Sequence, residues 1–383
     1  MIAPITNQQA EEALDRAVAQ VRRNLPKFTF SSQNHSSVHG IYAESENNEW
    51  TNGFWPGQIW LAYQHTGDPV LRYAGLIQVE SFLRRIRERV VVDHHDMGFL
   101  YTPSCVAAWK CTGDERAKQA ALLAADQLLT RFQKSGGFLQ AWGAMDAAEN
   151  YRYIIDCLLN LPLLYWASQV TGDETYRKIA LTHTETCLRY SFREDGSTYH
   201  TYYLDPETGA GLRGVTCQGY SDDSAWARGQ AWGIYGMALS YRYTRDPRCL
   251  GTFHRVLSYY LERLPADLVP YWDLIFTDGS GEPRDSSSAA IAACGLLEMA
   301  PQLPGQEGAA YVTLARRMLA SLASSYAAAP ESDSNGLLLH GTYSRKSPYN
   351  TCIPEGVDEC VIWGDYFYME ALTRLTTQWS PYW

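Results

Sequence analysis

The 383-residue chain has no run of basic residues longer than two, as at Arg84-Arg85, and its 42 Asp and Glu outnumber its 32 Lys and Arg. Nucleic-acid binding depends on clustered cations that neutralise phosphates, so that class is excluded. There is no long apolar run either. The longest uncharged stretch with much apolar content, Cys157 to Gly172, holds Asn160, Pro162 and Gln169 and is too short and polar to span a bilayer. No apolar segment precedes the first charges, Glu11 and Glu12, which points to a cytoplasmic protein. The 9 cysteines are odd in number and scattered, with no C-x-x-C pair, so buried thiols in a reducing compartment are expected. P-loop, G-x-S-x-G and H-E-x-x-H motifs are all missing.

What is present is a repeat. Tyr63-Gln64-His65-Thr66-Gly67-Asp68, Trp109-Lys110-Cys111-Thr112-Gly113-Asp114 and Ser168-Gln169-Val170-Thr171-Gly172-Asp173 share one grammar, with Tyr241-Arg242-Tyr243-Thr244-Arg245-Asp246 a degenerate fourth copy. In each an apolar helix stops at Thr-Gly, and Asp opens the next helix by accepting hydrogen bonds from its free N–H groups. Amphipathic, charge-bearing runs at 7–25, 69–90, 114–133, 173–191, 246–264 and 307–327 alternate with nearly charge-free runs. The latter, at 54–65, 103–111, 151–169, 224–243, 286–299 and 358–376, are apolar all round, as helices buried on every side must be. Six buried and six half-exposed helices in alternation predict two concentric rings. That is an all-α (α/α)6 barrel, a single domain over 1–383, with short β elements in its mouth loops. The loops that enter the buried helices (26–53, 91–102, 134–150, 192–223, 265–285 and 328–357) gather at one mouth, where function is expected.

Several motifs compete for that function. Gly209-Ala210-Gly211-Leu212-Arg213-Gly214 matches G-x-G-x-x-G, but a turn precedes it and no helical period follows, so it reads as a flexible loop and no dinucleotide cofactor is expected. Asp93-His94-His95-Asp96 admits a metal, a cap for the following helix, or a place at the mouth for His95 and Asp96. Neighbouring residues on an irregular segment point apart, and no other His/Asp cluster has ligand spacing, so no metal is expected. The sharpest signal is Asp156 inside Tyr153-Ile154-Ile155-Asp156-Cys157-Leu158-Leu159-Asn160-Leu161-Pro162, with Asn160 four residues on and on the same helical face. Either a neighbouring arginine satisfies this carboxyl, or burial raises its pKa and suits it to acid/base work. A second carboxylate close by, such as Asp96, would raise it further.

The chain holds 12 Trp, 26 Tyr and 11 Phe. Trp50, Phe54, Trp142, Trp226 and Trp232 flank the expected mouth, either as packing or, with Asn48, His200, Gln218 and Arg228, as the walls of a sugar cleft. Arg228 stands on an otherwise charge-free helix and needs an anion, which a carboxylated sugar would supply.

With Glu49-Trp50-Thr51-Asn52-Gly53-Phe54-Trp55-Pro56-Gly57, His94-His95-Asp96-Met97-Gly98-Phe99, Ile154-Ile155-Asp156-Cys157-Leu158-Leu159-Asn160-Leu161, Gln218-Gly219-Tyr220-Ser221-Asp222-Asp223-Ser224-Ala225-Trp226-Ala227-Arg228-Gly229-Gln230-Ala231-Trp232 and Trp363-Gly364-Asp365-Tyr366-Phe367-Tyr368 in this order, the chain resembles the unsaturated glucuronyl hydrolases of glycoside hydrolase family 88. The resemblance runs nearly end to end. It implies an (α/α)6 barrel without metal or cofactor that hydrates the C4=C5 vinyl ether of a 4,5-unsaturated uronate at the non-reducing end of a lyase product. It further implies Asp156 as general acid/base and Asp96 as the second essential carboxylate. Trp50, His95, Trp142, His200, Gln218, Trp226, Arg228 and Trp232 then match positions lining the unsaturated-sugar subsite.

Some members of that family recognise sulfated glycosaminoglycan disaccharides through a C-terminal loop of hydroxyl and basic residues. In Ser344-Arg345-Lys346-Ser347-Pro348-Tyr349 the candidates are Ser344, Lys346 and Ser347, although Tyr349 stands where a lysine is expected; the alternative is a solvated charged loop. An acidic protein does not attract a long polyanion, so the expected partner is a short unsaturated uronate-containing oligosaccharide bound by a monomer or weak homo-oligomer. An unsaturated rhamnogalacturonyl hydrolase is the nearest alternative. More distant are an epimerase, which would need a histidine pair at its core, and a non-catalytic helical scaffold, which would bury no carboxyl at the mouth.

Overall fold

The computed structural model describes residues 2–383. The Thr-Gly-Asp links are built as their chemistry requires. Helix α2 (Phe54–Thr66) ends on left-handed Gly67 (φ 69°), and Asp68 accepts the N–H of Val70 to open α3 (Pro69–Arg87). The threonine has its own part: Thr66 Oγ1 donates back to the Ala62 carbonyl and accepts the N–H of Asp68. The same set recurs between α5 (Ala107–Thr112) and α6 (Glu115–Leu129), and between α7 (Leu161–Thr171) and α8 (Glu174–Tyr190). Between α9 (Ala227–Thr244) and α10 (Pro247–Glu262) the link keeps Thr244 and Asp246 and forces Arg245 into the left-handed region (φ 56°).

The remaining helices are α1 (Asn7–Phe28), the short α4 (Met97–Tyr101), α11 (Ser286–Met299), α12 (Gln306–Ser321) and α13 (Ile362–Thr376). Helices α2, α4 with α5, α7 with the 3-10 turn before it (Ile155–Leu159), α9, α11 and α13 touch in succession and close an inner ring; α3, α6, α8, α10, α12 and α1 each back one of them. The architecture is the expected (α/α)6 barrel, and among the described residues no helix is long and apolar enough to cross a membrane. Inner helices bury nearly every residue, small ones included (Ala289 to Ala293 in α11), whereas outer helices bury one face, as Leu14, Val18 and Val21 do in α1.

Among the described residues, the nine strands all lie in the connections that run from an outer helix to the next inner one. They are β1 (Ser32–Gln33), β2 (Glu44–Ser45), β3 (Phe132–Gln133), β4 (Phe138–Leu139), β5 (Arg152–Ile154), β6 (Thr201–Leu204), β7 (Gly211–Val215), β8 (Gly341–Ser344) and β9 (Glu355–Glu359). The largest sheet is antiparallel, in the order β5-β6-β7.

Three expectations need correction. The run 151–169 is not one helix: 152–154 is a strand, Ile155–Leu159 a 3-10 turn, and α7 begins at Leu161 because Pro162 fits only the first turn of a helix. Asp156 and Asn160 therefore do not share an α-helical face. The inner segment 103–111 is helical as expected but begins earlier, at Met97, and carries a π-helical turn (Thr102–Val106) at Pro103 between α4 and α5. Finally, the G-x-G-x-x-G segment is strand β7. A Cβ on Gly214 would lie 2.1 Å from the Tyr199 ring, so the glycine lets the sheet press onto that aromatic.

Candidate active site

A cavity of about 820 Å³ opens at the mouth where these connections meet. At its inner end sit Asp96, Asp156 and His95, each offering a side-chain oxygen or nitrogen within 4.8 Å of the others. His95 Nε2 lies 3.3 Å from Asp96 Oδ1 and 3.6 Å from Asp156 Oδ1.

Asp96 occupies the N-cap position of α4, but its side chain does not cap the helix. Asn160 caps it instead, accepting the N–H of Phe99 through Oδ1 at 2.8 Å, which leaves the Asp96 carboxyl free to face the cavity. The close approach requires Gly98, where a Cβ would fall 2.3 Å from the Asn160 Cα. His94 fixes the other side. Its Nδ1 accepts the N–H of Asp96 (3.1 Å), so Nε2 carries the proton and donates to the Val91 carbonyl (3.1 Å). Burial holds His94 down to about 3, and its ring stacks on Trp142 at 4.4 Å and 9°.

Asp156 sits just past strand β5. Its carboxyl is held well above the ordinary carboxylate range, first by burial and then by the charge of Asp96, with Arg228 opposing. Burial also raises Asp96, opposed by the Asn160 amide and Arg85. The Oδ1 atom of Asp156 is buried and has no hydrogen-bond partner among the described residues. Two such carboxyls side by side disfavour double ionisation, so together they retain a proton that ordinary aspartates have lost. His95 is kept neutral by burial, as is His200, which accepts the N–H of Cys217 through Nδ1 at 2.8 Å. The three-residue cluster has donor atoms of the type that hold a divalent cation, but its carboxyls sit where burial favours their protonated, non-ligating form.

Of the other expected site residues, Trp50, Trp142, His200, Gln218 and Ser344 line the cavity. Trp50 donates to the Tyr343 hydroxyl (3.1 Å) and stacks on Trp363; Gln218 donates to the Tyr343 carbonyl (3.2 Å). Phe54 and Trp232 do not line it. Both are fully buried beneath, packed around Phe99 and Phe367, and serve as core. Trp226 lies behind His200, edge-on at 4.7 Å.

Arg228 is also behind the wall. It finds its anion inside the protein, in Asp285 at 3.2 Å, donates to the carbonyls of Thr342 and Tyr343 (2.6 Å each), and lies over the Trp226 and Trp363 rings. The expected need for a sugar carboxylate is thus met by the fold.

The basic loop differs too. Lys346 Nζ donates to the Asn350 carbonyl and Arg345 pairs with Glu282 (3.1 Å). Ser347 Oγ donates to the Tyr220 carbonyl and accepts the N–H groups of Tyr349 and Asn350, and Ser344 Oγ donates to the Ile353 carbonyl. Lys346 and Ser347 hold the loop's own turn and do not line the cavity.

Sequence reasoning missed Arg85, Tyr343 and the wall of the three-stranded sheet. Arg85, in α3, donates to the carbonyls of Val90 and Val91, to the Glu49 carbonyl and to Asn47 Oδ1, so it ties the Trp50 loop to the His94 segment. On the sheet, alternate residues of each strand face the cavity. Ile154, Thr201 and Val215 form one rung, and Arg152, Tyr203 and Arg213 form the next. This wall was hidden by reading 152–154 as part of a helix and 209–214 as a flexible loop.

Comparisons with known proteins point to one family. Residues 25–348 match the family model described as Glycosyl Hydrolase Family 88. An unsaturated chondroitin disaccharide hydrolase of Streptococcus pyogenes serotype M1 is 48% identical over 381 residues, covering 99% of this chain and 94% of that protein. An unsaturated glucuronyl hydrolase of Bacillus sp. (strain GL1) is 42% identical over 376 residues, covering 97% and 98%. The crystal structure of unsaturated glucuronyl hydrolase from Streptococcus agalactiae superimposes with a TM-score of 0.95 at 48% identity, covering 99% of this chain and 95% of that one. A mutant of that enzyme has been solved in complex with dGlcA-GalNAc6S (TM-score 0.87, 44% identity, covering 99% and 94%).

Proposed function

This chain belongs to Glycosyl Hydrolase Family 88, and from that premise we propose that it removes the 4,5-unsaturated uronate from the non-reducing end of short lyase-generated oligosaccharides, disaccharides of the glycosaminoglycan type first among them. The relatives named for unsaturated chondroitin disaccharides and unsaturated glucuronyl groups support this reading over the pectin-fragment alternative. The observation that carries it is the pair of pKa-raised carboxyls, buried Asp96 and half-buried Asp156, set side by side in a tryptophan-walled cavity.

Asp156 begins protonated. It gives its proton to C4 while the C4=C5 π electrons form the new C–H bond, leaving an oxocarbenium-like centre at C5 that the neighbouring carboxylate stabilises. Water adds at C5 and returns a proton to Asp156. The hemiketal so formed opens its ring and leaves a hemiacetal at C1, which collapses to the aldehyde and releases the next sugar as an alcohol. Asp96 orients the substrate and tunes Asp156; neutral His95 lies between the two carboxyls, its Nε2 3.3 Å from one and 3.6 Å from the other. Trp50, Trp142, His200 and Gln218 line the subsite for the unsaturated ring, and Trp226 and Arg228 hold that wall from behind. Separation of the carboxyls does not define a stereochemical class here, because the bond order changes away from the anomeric carbon.

The enzyme acts as one catalytic domain over 1–383, as a monomer or weak homo-oligomer in the cytoplasm, a setting that suits its six buried thiols. The decisive experiment follows the ultraviolet absorbance of the conjugated uronate in an unsaturated chondroitin disaccharide. The wild-type chain abolishes it and Asp156→Asn does not; a well-folded Asp156→Asn enzyme with near-normal turnover overturns the reading.

A further inference from the structure

The wall formed by the three-stranded sheet carries a feature that hydration chemistry does not use. Strand pairing sets Arg152 opposite Tyr203 and Tyr203 opposite Arg213, all three facing the cavity. Both guanidinium groups lie against the Tyr203 ring, at 5.7 Å for Arg152 and 5.2 Å for Arg213. Arg152 is steadied by the Glu149 carbonyl and Asn150 Oδ1, neither of them charged. Arg213 makes no hydrogen bond or ion pair among the described residues. Neither arginine has a carboxylate partner among the described residues, and both stand at the cavity wall of a chain with net charge −10.

Their place along the wall says what they face. Asp156 follows Ile154 by two residues, and the Ile154–Thr201–Val215 rung is the one next to it. The arginine rung lies one step further out, about 7 Å at the rise of a strand. If the unsaturated ring occupies the closed end beside Asp156, this rung lies beside the sugar on the other side of the scissile bond.

We propose that Arg152 and Arg213 form a subsite for a second oxyanion, a sulfate ester or carboxylate carried by the leaving sugar. A planar fork of N–H donors suits either group, and the tyrosine ring between the two forks holds them apart and pre-oriented. The proposal rests on the function given above and deepens it. It also moves anion recognition away from the 344–349 loop, whose basic side chains are occupied within the fold.

The test compares substrates that share the unsaturated uronate and differ only in the leaving sugar: N-acetylgalactosamine, its 4-sulfate, its 6-sulfate, and a hexuronate. In Arg213→Gln, kcat/KM for at least one charged substrate relative to the neutral one falls about tenfold, mainly through KM. Arg213→Lys, which keeps the charge but not the fork, falls between the two. The substrate that responds identifies sulfate or carboxylate as the natural group. Arg213 is exposed, so the variant keeps its fold. Charged-to-neutral ratios that all stay at their wild-type values overturn the subsite alone; a wild-type enzyme that turns over none of the substrates overturns the function and the subsite together.

Discussion

The side chain of Asn160 caps the helix that Asp96 opens. Its Oδ1 atom holds the Phe99 N–H at 2.8 Å, and the aspartate that would ordinarily fill that position is left free for chemistry. A residue from the turn that carries Asp156 thereby sets the orientation of Asp96, and the two carboxyls are positioned by one joint.

Asn160→Ala removes that cap. A lost N-terminal cap costs about 1 kcal/mol of stability, and the greater effect is on turnover: kcat falls about tenfold or more, with KM little changed. The amide also restrains the upward shift of Asp96, so its loss moves the acid limb of the kcat/KM profile to higher pH. A profile that keeps its shape while stability drops would leave Asn160 a purely structural cap.

Asp156→Asn is expected to lower kcat by about 10²–10⁴-fold and to stabilise the fold. The wild-type carboxyl holds its proton in the folded state well above the ordinary range, while the unfolded chain releases it near pH 4. Folded stability from this group is therefore complete below that point and declines as pH rises toward the raised pKa. The thermal midpoint of the variant should exceed that of wild type by more at about pH 8 than at about pH 4. Calorimetry across that range checks the sign.

Arg228→Met strands Asp285, which is fully buried, and releases the carbonyls of Thr342 and Tyr343. Removing one partner of a buried pair costs about 3–5 kcal/mol, read by denaturant unfolding. Asp285→Asn on the same background recovers part of the loss. A single variant as stable as wild type would contradict the role assigned to this pair.

Gly98→Ala places a methyl against the Asn160 backbone. Overpacking at a contact that cannot relax costs about 1–3 kcal/mol or more, and here it also separates Asp96 from Asp156. Activity should fall further than stability alone explains, when both are measured on the soluble fraction.

The barrel was legible because its signals are local and repeated. Gly67, Gly113 and Gly172 end helices, the aspartates after them begin helices, and charge-free runs alternate with amphipathic ones. Asp156 was legible as a buried acid within an apolar run. The joint that makes it useful was not, because the partnership of Asn160 with Phe99 crosses 61 residues, and Asn160 had been placed with Asp156 on a helix that Pro162 does not allow to start so early. Phe54 and Trp232 carry the same aromatic chemistry as Trp50 and Trp142, and only packing separates floor from wall. Arg228 showed the same limit: composition revealed that it needed an anion, and not that Asp285, 57 residues away, would be the one.

The threonine-centred links stand at the ends of the hairpins, away from every strand and every cavity-lining residue. Durability and selectivity are thus assigned to opposite rims of one ring. Substitutions at Thr66, Thr112, Thr171 or Thr244 should alter heat tolerance without altering which sugar is accepted, and changes among the strands should do the reverse. Effects from the two rims should sum, since distant sites without shared partners behave independently. A lineage built on this scaffold can therefore change its diet and its working temperature separately.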